Sequence, residues 1–179
     1  FEGKACLTRK GIASFEFIPF ILSQAKSVEE AKSLIAEIAI SNDAFSNTLS
    51  PSPLHWLIGD REESIVVEAT ANGLNVFNNP VGVMTNSPPF PFQMFALNNY
   101  LSLSTETPQN SFSNHLDLKT YSRGMGALGL PGDLSSQSRF IKATFTKMNY
   151  KYDETAENNL ADYMHILASV EQQRGLVDI

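Results

Sequence analysis

The chain has 179 residues, of which 42% are hydrophobic and 18% charged, a composition typical of a folded globular domain that excludes general disorder. The net charge is −6 and the longest basic cluster is the short Thr8–Lys10, so neither nucleic acid nor an anionic membrane surface is an expected partner. No run approaches the roughly 20 apolar residues of a membrane-spanning helix. The single cysteine, Cys6, excludes an internal disulfide framework and a multi-thiolate zinc site. So few thiols fit a reducing compartment, and we expect a cytoplasmic protein.

Two helices are predicted at the start of the chain. The segment "SFEFIPFILSQAKS", residues 14–27, is apolar nearly all round, which predicts a buried helix with Pro19 either in its first turn or at a kink. The next segment, "SVEEAKSLIAEIAI", places Ser27 and Glu30 in capping-box spacing. Its apolar residues recur at helical period, and these are Val28, Ala31, Leu34, Ile35 and Ile38.

After a polar loop over residues 42–53, the hydrophobic period changes to two. The stretches "PLHWLIGD", "SIVVEAT", "GLNVFNN" and "VGVMTN" predict four short strands of an antiparallel meander, the first two joined by a hairpin at "DREE". Apolar residues on both alternating faces indicate that both faces of the sheet are covered. The fourth predicted strand ends at Asn86, before two prolines that cannot continue a ladder.

Helices are predicted again in the last part of the chain. "FQMFALNNYLSLS" has Phe92, Phe95, Ala96 and Tyr100 at helical spacing, a second helix is expected from about Ser136, and a last one over residues 158–173. The order is helices, sheet, helices without strand–helix–strand alternation. We therefore predict an α+β fold and a single domain over residues 1–179.

Several motifs have a simple structural interpretation. "GMGALG", Gly124–Gly129, matches the dinucleotide pattern G-x-G-x-x-G, but "LPGD" follows it and breaks any helix that could hold a pyrophosphate. The three histidines lie far apart without metal-ligand spacing, so no metal site is expected. Cys6 is either a thiol nucleophile activated by nearby cations or an ordinary structural thiol.

Asn86 and Arg139 are the two candidate site residues. A carboxamide fixed after a strand is a neutral donor suited to a developing oxyanion, but the composition alone favours the alternative that Asn86 supports the turn before Pro88. Arg139 falls in the predicted first turn of a helix, where a positive charge gains nothing from the helix dipole. Either a functional site or an ion pair with Asp133 explains its position.

Seven stretches together resemble the choloylglycine hydrolases, the family of bile salt hydrolases and penicillin V acylases. They are "IASFEFIPFILSQ", "PLHWLIGD", "SIVVE", "NPVGVMTNSPPF", "LNNYLSLS", "SRGMGALGLPGDLSSQSRFIKATF" and "HILASVEQQRG". The resemblance implies an N-terminal nucleophile hydrolase with a four-layer αββα fold of antiparallel sheets and no cofactor, often a homotetramer. It implies that an N-terminal cysteine attacks the amide of a small-molecule substrate, a glycine- or taurine-conjugated bile salt, and that its own α-amino group moves the proton. Asn86 falls on the family's oxyanion-stabilising asparagine and Arg139 on its active-site arginine.

One departure from the family pattern is large. The family's nucleophile begins the mature chain, well upstream of the segment matched by "IASFEF", and Cys6 in "ACLTRKG" matches neither its motif nor its position. We therefore expect a central portion of such an enzyme, inert by itself, that lacks the nucleophile segment and the last strands. The alternatives are a penicillin V acylase or another N-acyl amide acylase and, from another class, an inactive truncated module that binds or assembles.

Overall fold

A computed structural model describes residues 9–51, 54–70, 73–152 and 159–177. The chain divides after Met84 into two compact units. The combination of helices with a three-stranded antiparallel sheet confirms the α+β class. In chain order the strands and α-helices are β1 (Lys10–Ala13), α1 (Phe17–Gln24), α2 (Val28–Ala36), β2 (Ile38–Ser41), β3 (His55–Gly59), β4 (Ser64–Thr70), β5 (Gly73–Asn78), α3 (Phe90–Ala96), α4 (Ser136–Asn149) and α5 (Asn159–Ala168).

A parallel pair of short strands opens the first unit, and the sequence analysis missed it. β1 pairs with β2, with Lys10 opposite Ile38 and Ala13 opposite Ser41. The helical period had placed Ile38 in the preceding helix, but α2 ends at Ala36 and Ile38 is a strand residue that is 1% exposed. A buried Ile38 is compatible with both a helix and a strand, so only its pairing with β1 shows that it belongs to a strand.

Helix α1 packs on one side only. Phe17 and Ile21 are buried, whereas Ile18 is 56% and Leu22 76% exposed, so the prediction of a helix buried all round is wrong. The elements of this unit cover one face of α1, and the opposite apolar face stays open. Pro19 lies in the first turn, the first of its two predicted positions, where the missing N–H would have no intrahelical partner.

Helix α2 begins with the predicted cap. Oγ of Ser27 accepts a 3.2 Å hydrogen bond from the amide of Glu30, and the Glu30 carboxylate accepts from the amide of Lys26 at 2.7 Å, one residue before the position that a capping box requires. The amide of Val28 donates to Asp60 in the β3–β4 turn at 2.8 Å. This bond, with amides of the turn itself, lowers the pKa of Asp60 and ties the helix start to the hairpin.

A three-stranded antiparallel sheet, in the order β3-β4-β5, forms the rest of the first unit. The predicted hairpin is confirmed, with Gly59 opposite Ser64. The central strand is covered on both faces, because its successive residues 65–67 are all 0% exposed. The edge strand β3 is less covered, since Leu57 is 42% exposed. In the core beneath the sheet, the ring centroids of Phe17 and Trp56 lie 4.3 Å apart.

The fourth strand predicted over "VGVMTN" is absent from the structure. Gly82 turns the chain at φ +60°, and its amide donates to Oδ1 of Asn79 at 2.9 Å. Nδ2 of Asn79 donates to the carbonyl of Val83 at 3.1 Å. One buried asparagine therefore supplies the hydrogen bonds that a neighbouring strand would have supplied. Asn86 consequently follows a loop and not a strand.

Helix α3 is confirmed, but of the four residues whose spacing predicted it only Ala96 is buried. It begins directly after Pro89, and a turn of 3-10 helix continues it to Tyr100. Phe92 and Phe95 are 66% and 73% exposed. The buried residues are Phe90, Gln93 and Ala96. Both sets have helical spacing, so the period alone could not select the buried face.

Helix α4 starts at Ser136 as predicted, with Oγ of Ser135 accepting from the amide of Ser138 at 3.3 Å. The last helix, α5, ends at Ala168, five residues before the predicted end at Gln173, and the first predicted residue, 158, lies outside the described part. Neither these helices nor the others in the described ranges are long and apolar enough to cross a bilayer.

Candidate functional site

Asn86 and Arg139 lie side by side in the second unit, although 53 residues separate them in sequence. Nη2 of Arg139 donates a 2.9 Å hydrogen bond to Oδ1 of Asn86. Arg139 projects from the first turn of α4 and is half-buried, whereas Asn86 is exposed in the loop before α3. The structure thus joins the two candidate residues directly.

The arginine determines which way the Asn86 carboxamide points. A guanidinium group has only donors, so the carboxamide atom facing it must be the oxygen. The NH2 group, on the other arm of the planar carboxamide, then points away from the guanidinium. Within the described residues, no protein acceptor takes a hydrogen bond from this NH2 group. It is a fixed, uncharged donor whose polarity the adjacent positive charge increases.

Arg139 makes no ion pair with Asp133 among the residues described, which excludes one of the two interpretations of its position. Its Nε donates to the carbonyl of Leu134 at 3.1 Å. The Asp133 carboxylate instead accepts from the amide of Ser135 at 2.9 Å and from the hydroxyl of Ser138 at 2.6 Å. The side chains of Ser135 and Ser138, together with the Ser135 amide, lower the pKa of Asp133 to about 2. The carboxylate therefore organises the start of α4 and leaves the guanidinium to Asn86.

Gln93 holds the backbone of Asn86, and the sequence analysis did not identify it. It is 2% exposed and lies on the buried face of α3. Its Nε2 donates to the carbonyl of Asn86 and, at 2.7 Å, to that of Pro88. The hydroxyl of Thr85 lies 2.7 Å from its Oε1. The sequence signal for its burial was its spacing, since Gln93 lies three residues from each of the apolar residues Phe90 and Ala96.

The glycine-rich segment has a packing role in the same unit. Residues 125–127 form one turn of 3-10 helix, and within the described residues no strand leads into it. The carbonyl of Gly126 accepts from the amide of Ser104 at 2.9 Å. A Cβ on Gly126 would lie 2.2 Å from the carbonyl oxygen of Glu106, so this position admits only glycine. The helix N-terminus that a pyrophosphate requires is not formed here.

The other candidates do not join this site. His115 and His165 are exposed and His55 is half-buried on β3. Among the residues that the structure describes, no three histidine, cysteine or acidic side chains are grouped as metal ligands would be. Cys6 lies outside the described residues.

Comparison with known proteins identifies relatives over almost the whole chain. The family model for linear amide C–N hydrolases of the choloylglycine hydrolase family matches residues 4–179. A bile salt hydrolase/transferase of Lactiplantibacillus plantarum is 54% identical over 168 residues, which cover 94% of this chain and 52% of the relative. A conjugated bile acid hydrolase of Lactobacillus acidophilus is 34% identical and covers 93% and 53% of the two chains.

Solved structures show the same relationship. The crystal structure of a mutant conjugated bile acid hydrolase from Clostridium perfringens has a TM-score of 0.86 and 32% identity, and the match covers 100% of this chain and 54% of that one. A penicillin V acylase from Agrobacterium tumefaciens shares the fold, with a TM-score of 0.68 at 22% identity, over 99% of this chain and 47% of that one. The chain spans about half the length of the curated relatives it matches.

Proposed function

Because the chain belongs to the choloylglycine hydrolase family of linear amide C–N hydrolases, we propose that the protein hydrolyses the amide bond of glycine- or taurine-conjugated bile salts. The named bile salt and conjugated bile acid hydrolases among its relatives support this substrate class. The substrate is then a small molecule with a bulky apolar acyl group, and the proposed reaction uses no cofactor.

The contact between Arg139 and Asn86 is the observation that carries the proposal. It directs the Asn86 NH2 group away from the guanidinium, where it can donate to an oxygen that becomes negative during the reaction. Because the donor is fixed in advance, little reorganisation is needed when the charge develops. Arg139 keeps a permanent positive charge on the oxygen side of the Asn86 carboxamide, since a guanidinium group does not deprotonate in proteins, and this charge makes the NH2 group a stronger donor.

In the proposed reaction, the thiolate of an N-terminal cysteine adds to the amide carbonyl carbon, and the carbonyl π electrons move to the oxygen. The α-amino group of that cysteine takes the thiol proton and passes it to the nitrogen of glycine or taurine as the C–N bond breaks. Water then cleaves the thioester and releases the bile acid and the free thiol. Cys6 has no part in this scheme.

The experiment compares the full-length protein with its Asn86→Ala and Arg139→Gln variants, with release of glycine from glycocholate and taurine from taurocholate as the readout. Loss of one oxyanion donor reduces kcat by about 100- to 1,000-fold in comparable sites, and we expect this range for Asn86→Ala. Asn98→Ala is the matched control, because Asn98 is an exposed asparagine on the same stretch of chain, and its side chain donates to the carbonyl of Phe95. Unchanged kcat in Asn86→Ala would remove Asn86 from the reaction.

The same assay separates the rival functions. Penicillin V, offered at the same concentrations, tests an acylase with a smaller acyl pocket, and a higher kcat/KM on penicillin V than on either bile salt would favour that rival. A full-length protein that cleaves neither substrate would favour a binding or assembly module.

We further propose a cytoplasmic homo-oligomer: the single cysteine supports the cytoplasm, and the resemblance to the family supports the assembly. Light scattering coupled to size-exclusion chromatography measures the assembled mass. A monomer at micromolar concentration would contradict this expectation.

A further inference from the structure

We propose that Gln93 is a positioning residue, which holds the oxyanion donor Asn86 in place by fixing the backbone of residues 85–88. This inference rests on the proposed function of Asn86. Gln93 itself is too buried to contact substrate, since it is 2% exposed, so its role is distinct from that of Asn86.

The carboxamide of Gln93 is fully used within the loop before α3. Both of its N–H groups are donated to carbonyls, one of Asn86 and one of Pro88. Its Oε1 faces the hydroxyl of Thr85 at 2.7 Å. Because two carbonyl oxygens can only accept, the NH2 group must face them and the orientation of the carboxamide is unambiguous. A single side chain thereby restrains the loop on both sides of Asn86.

A second chain of hydrogen bonds links this clamp to α4. The hydroxyl of Ser136, the first residue of α4, donates to Oγ1 of Thr85 at 3.0 Å. The single Thr85 proton faces Oε1 of Gln93 at 2.7 Å and the carbonyl oxygen of Ser136 at 2.9 Å. Thr85 therefore connects Gln93 to the first residue of α4.

Asn86 is consequently held at two points by two helices. Gln93 on α3 holds its main chain, and Arg139 on α4 holds its side chain. An exposed asparagine with rotatable side-chain bonds would otherwise sample several orientations. Fixing both ends leaves the NH2 group in one orientation, which is the requirement for a preorganised oxyanion donor.

The test uses Gln93→Leu in the full-length protein, since leucine fills a similar volume and removes every hydrogen bond of the clamp. A misplacement of about 1 Å costs on the order of 100-fold in rate, and we expect a decrease of that size in kcat with little change in KM. Gln24→Leu makes the same chemical change at an exposed glutamine and should leave kcat unchanged.

A double-mutant cycle shows whether Gln93 acts through Asn86. In the Asn86→Ala background, Gln93→Leu should reduce kcat by no more than about twofold, because there is no donor left to position. Multiplicative losses in the cycle would overturn the proposal. If Gln93→Leu fails to fold, Thr85→Val replaces it in the cycle, since that substitution removes only the hydroxyl.

Gln93→Glu supplies a pH signature. Its buried carboxyl faces two carbonyl oxygens, which raises its pKa, and only the protonated form can donate to Asn86. The kcat of Gln93→Glu relative to the unsubstituted protein should therefore rise as the pH falls. A pH-independent ratio would contradict the clamp.

A crystal structure of Gln93→Leu, or of Thr85→Val, distinguishes failure of this inference from failure of the proposed function. The inference expects the contact between Arg139 Nη2 and Asn86 Oδ1, 2.9 Å here, to be lost or displaced. An Asn86 that superimposes on its original position overturns the inference whether or not the protein cleaves bile salts.

Discussion

Gly126 offers the sharpest test of the second unit's packing, because three nearby glycines differ in what surrounds them. A Cβ at Gly126 would lie 2.2 Å from the carbonyl oxygen of Glu106 and 2.5 Å from that of Ser104. Gly124 has nothing within 4 Å but has φ +80°, and Gly132 has neither a close neighbour nor a positive φ. The alanine variant of Gly126 therefore tests close approach, that of Gly124 tests backbone conformation, and that of Gly132 is the control for both.

The expected losses follow from these contacts. Overpacking against a backbone costs about 1–3 kcal/mol, and displacement of the Ser104 amide from the Gly126 carbonyl removes a further ~1 kcal/mol. Gly126→Ala should therefore lower the free energy of unfolding by about 2–4 kcal/mol. Gly124→Ala should cost about 1–2 kcal/mol, the strain of a left-handed non-glycine residue. Gly132→Ala should be neutral or gain about 0.4–1 kcal/mol through the unfolded chain.

Urea unfolding followed by far-ultraviolet circular dichroism measures the three values. Fluorescence is less suitable, because Trp56, the sole tryptophan, belongs to the first unit. Equal stability of Gly126→Ala and Gly132→Ala would refute the close approach of residues 104–106 to the glycine turn. A Gly124→Ala loss larger than that of Gly126→Ala would mean that backbone conformation, and not packing, is the main constraint in this segment.

Two further predictions concern other parts of the chain. Asp133→Asn should flatten the fall in the free energy of unfolding between about pH 4 and pH 2. The folded pKa of about 2 lies below the unfolded value of 3.8, so the carboxylate stabilises the fold above pH 3.8, and this stabilisation disappears as the pH falls through 2. Acid titration of unfolding measures the slope, and an unaltered slope would argue against the bonds from Ser135 and Ser138. Phe17→Ala should lower the free energy of unfolding by about 3–5 kcal/mol, since Phe17 is 1% exposed and packs against Trp56. Urea unfolding followed by Trp56 fluorescence measures this loss, and a loss below ~1 kcal/mol would contradict the packing.

The elements that could be predicted are those with signals inside a few residues of sequence. The cap at Ser27, the start of α4 at Ser136 and the β3–β4 hairpin each depend on neighbours within one turn, and all three are confirmed. The prediction of a fourth strand was wrong because it also rested on a local pattern alone. Its residues have the period of a strand, but Asn79 supplies their hydrogen bonds, and alternation of side chains does not report where backbone bonds go.

The candidate site shows the same limit. Asn86 and Arg139 were identified one at a time, each with a structural alternative, and the contact that joins them crosses 53 residues. Gln93 was not identified, because its spacing from Phe90 and Ala96 does not by itself distinguish the buried face of α3 from the exposed face of Phe92 and Phe95. Its environment becomes visible only when the loop before α3 folds back over that helix.

The sequence by itself determined the α+β class, most helix and strand positions and the family, since periodicity, caps, turns and motifs are local properties of the chain. Tertiary structure alone decided the parallel pairing of β1 with β2, the buried faces of α1 and α3, and the junction of Gln93, Asn86 and Arg139. Each of these depends on burial or hydrogen bonding between residues distant in sequence, and such pairings are selected by the free energy of the whole packed unit.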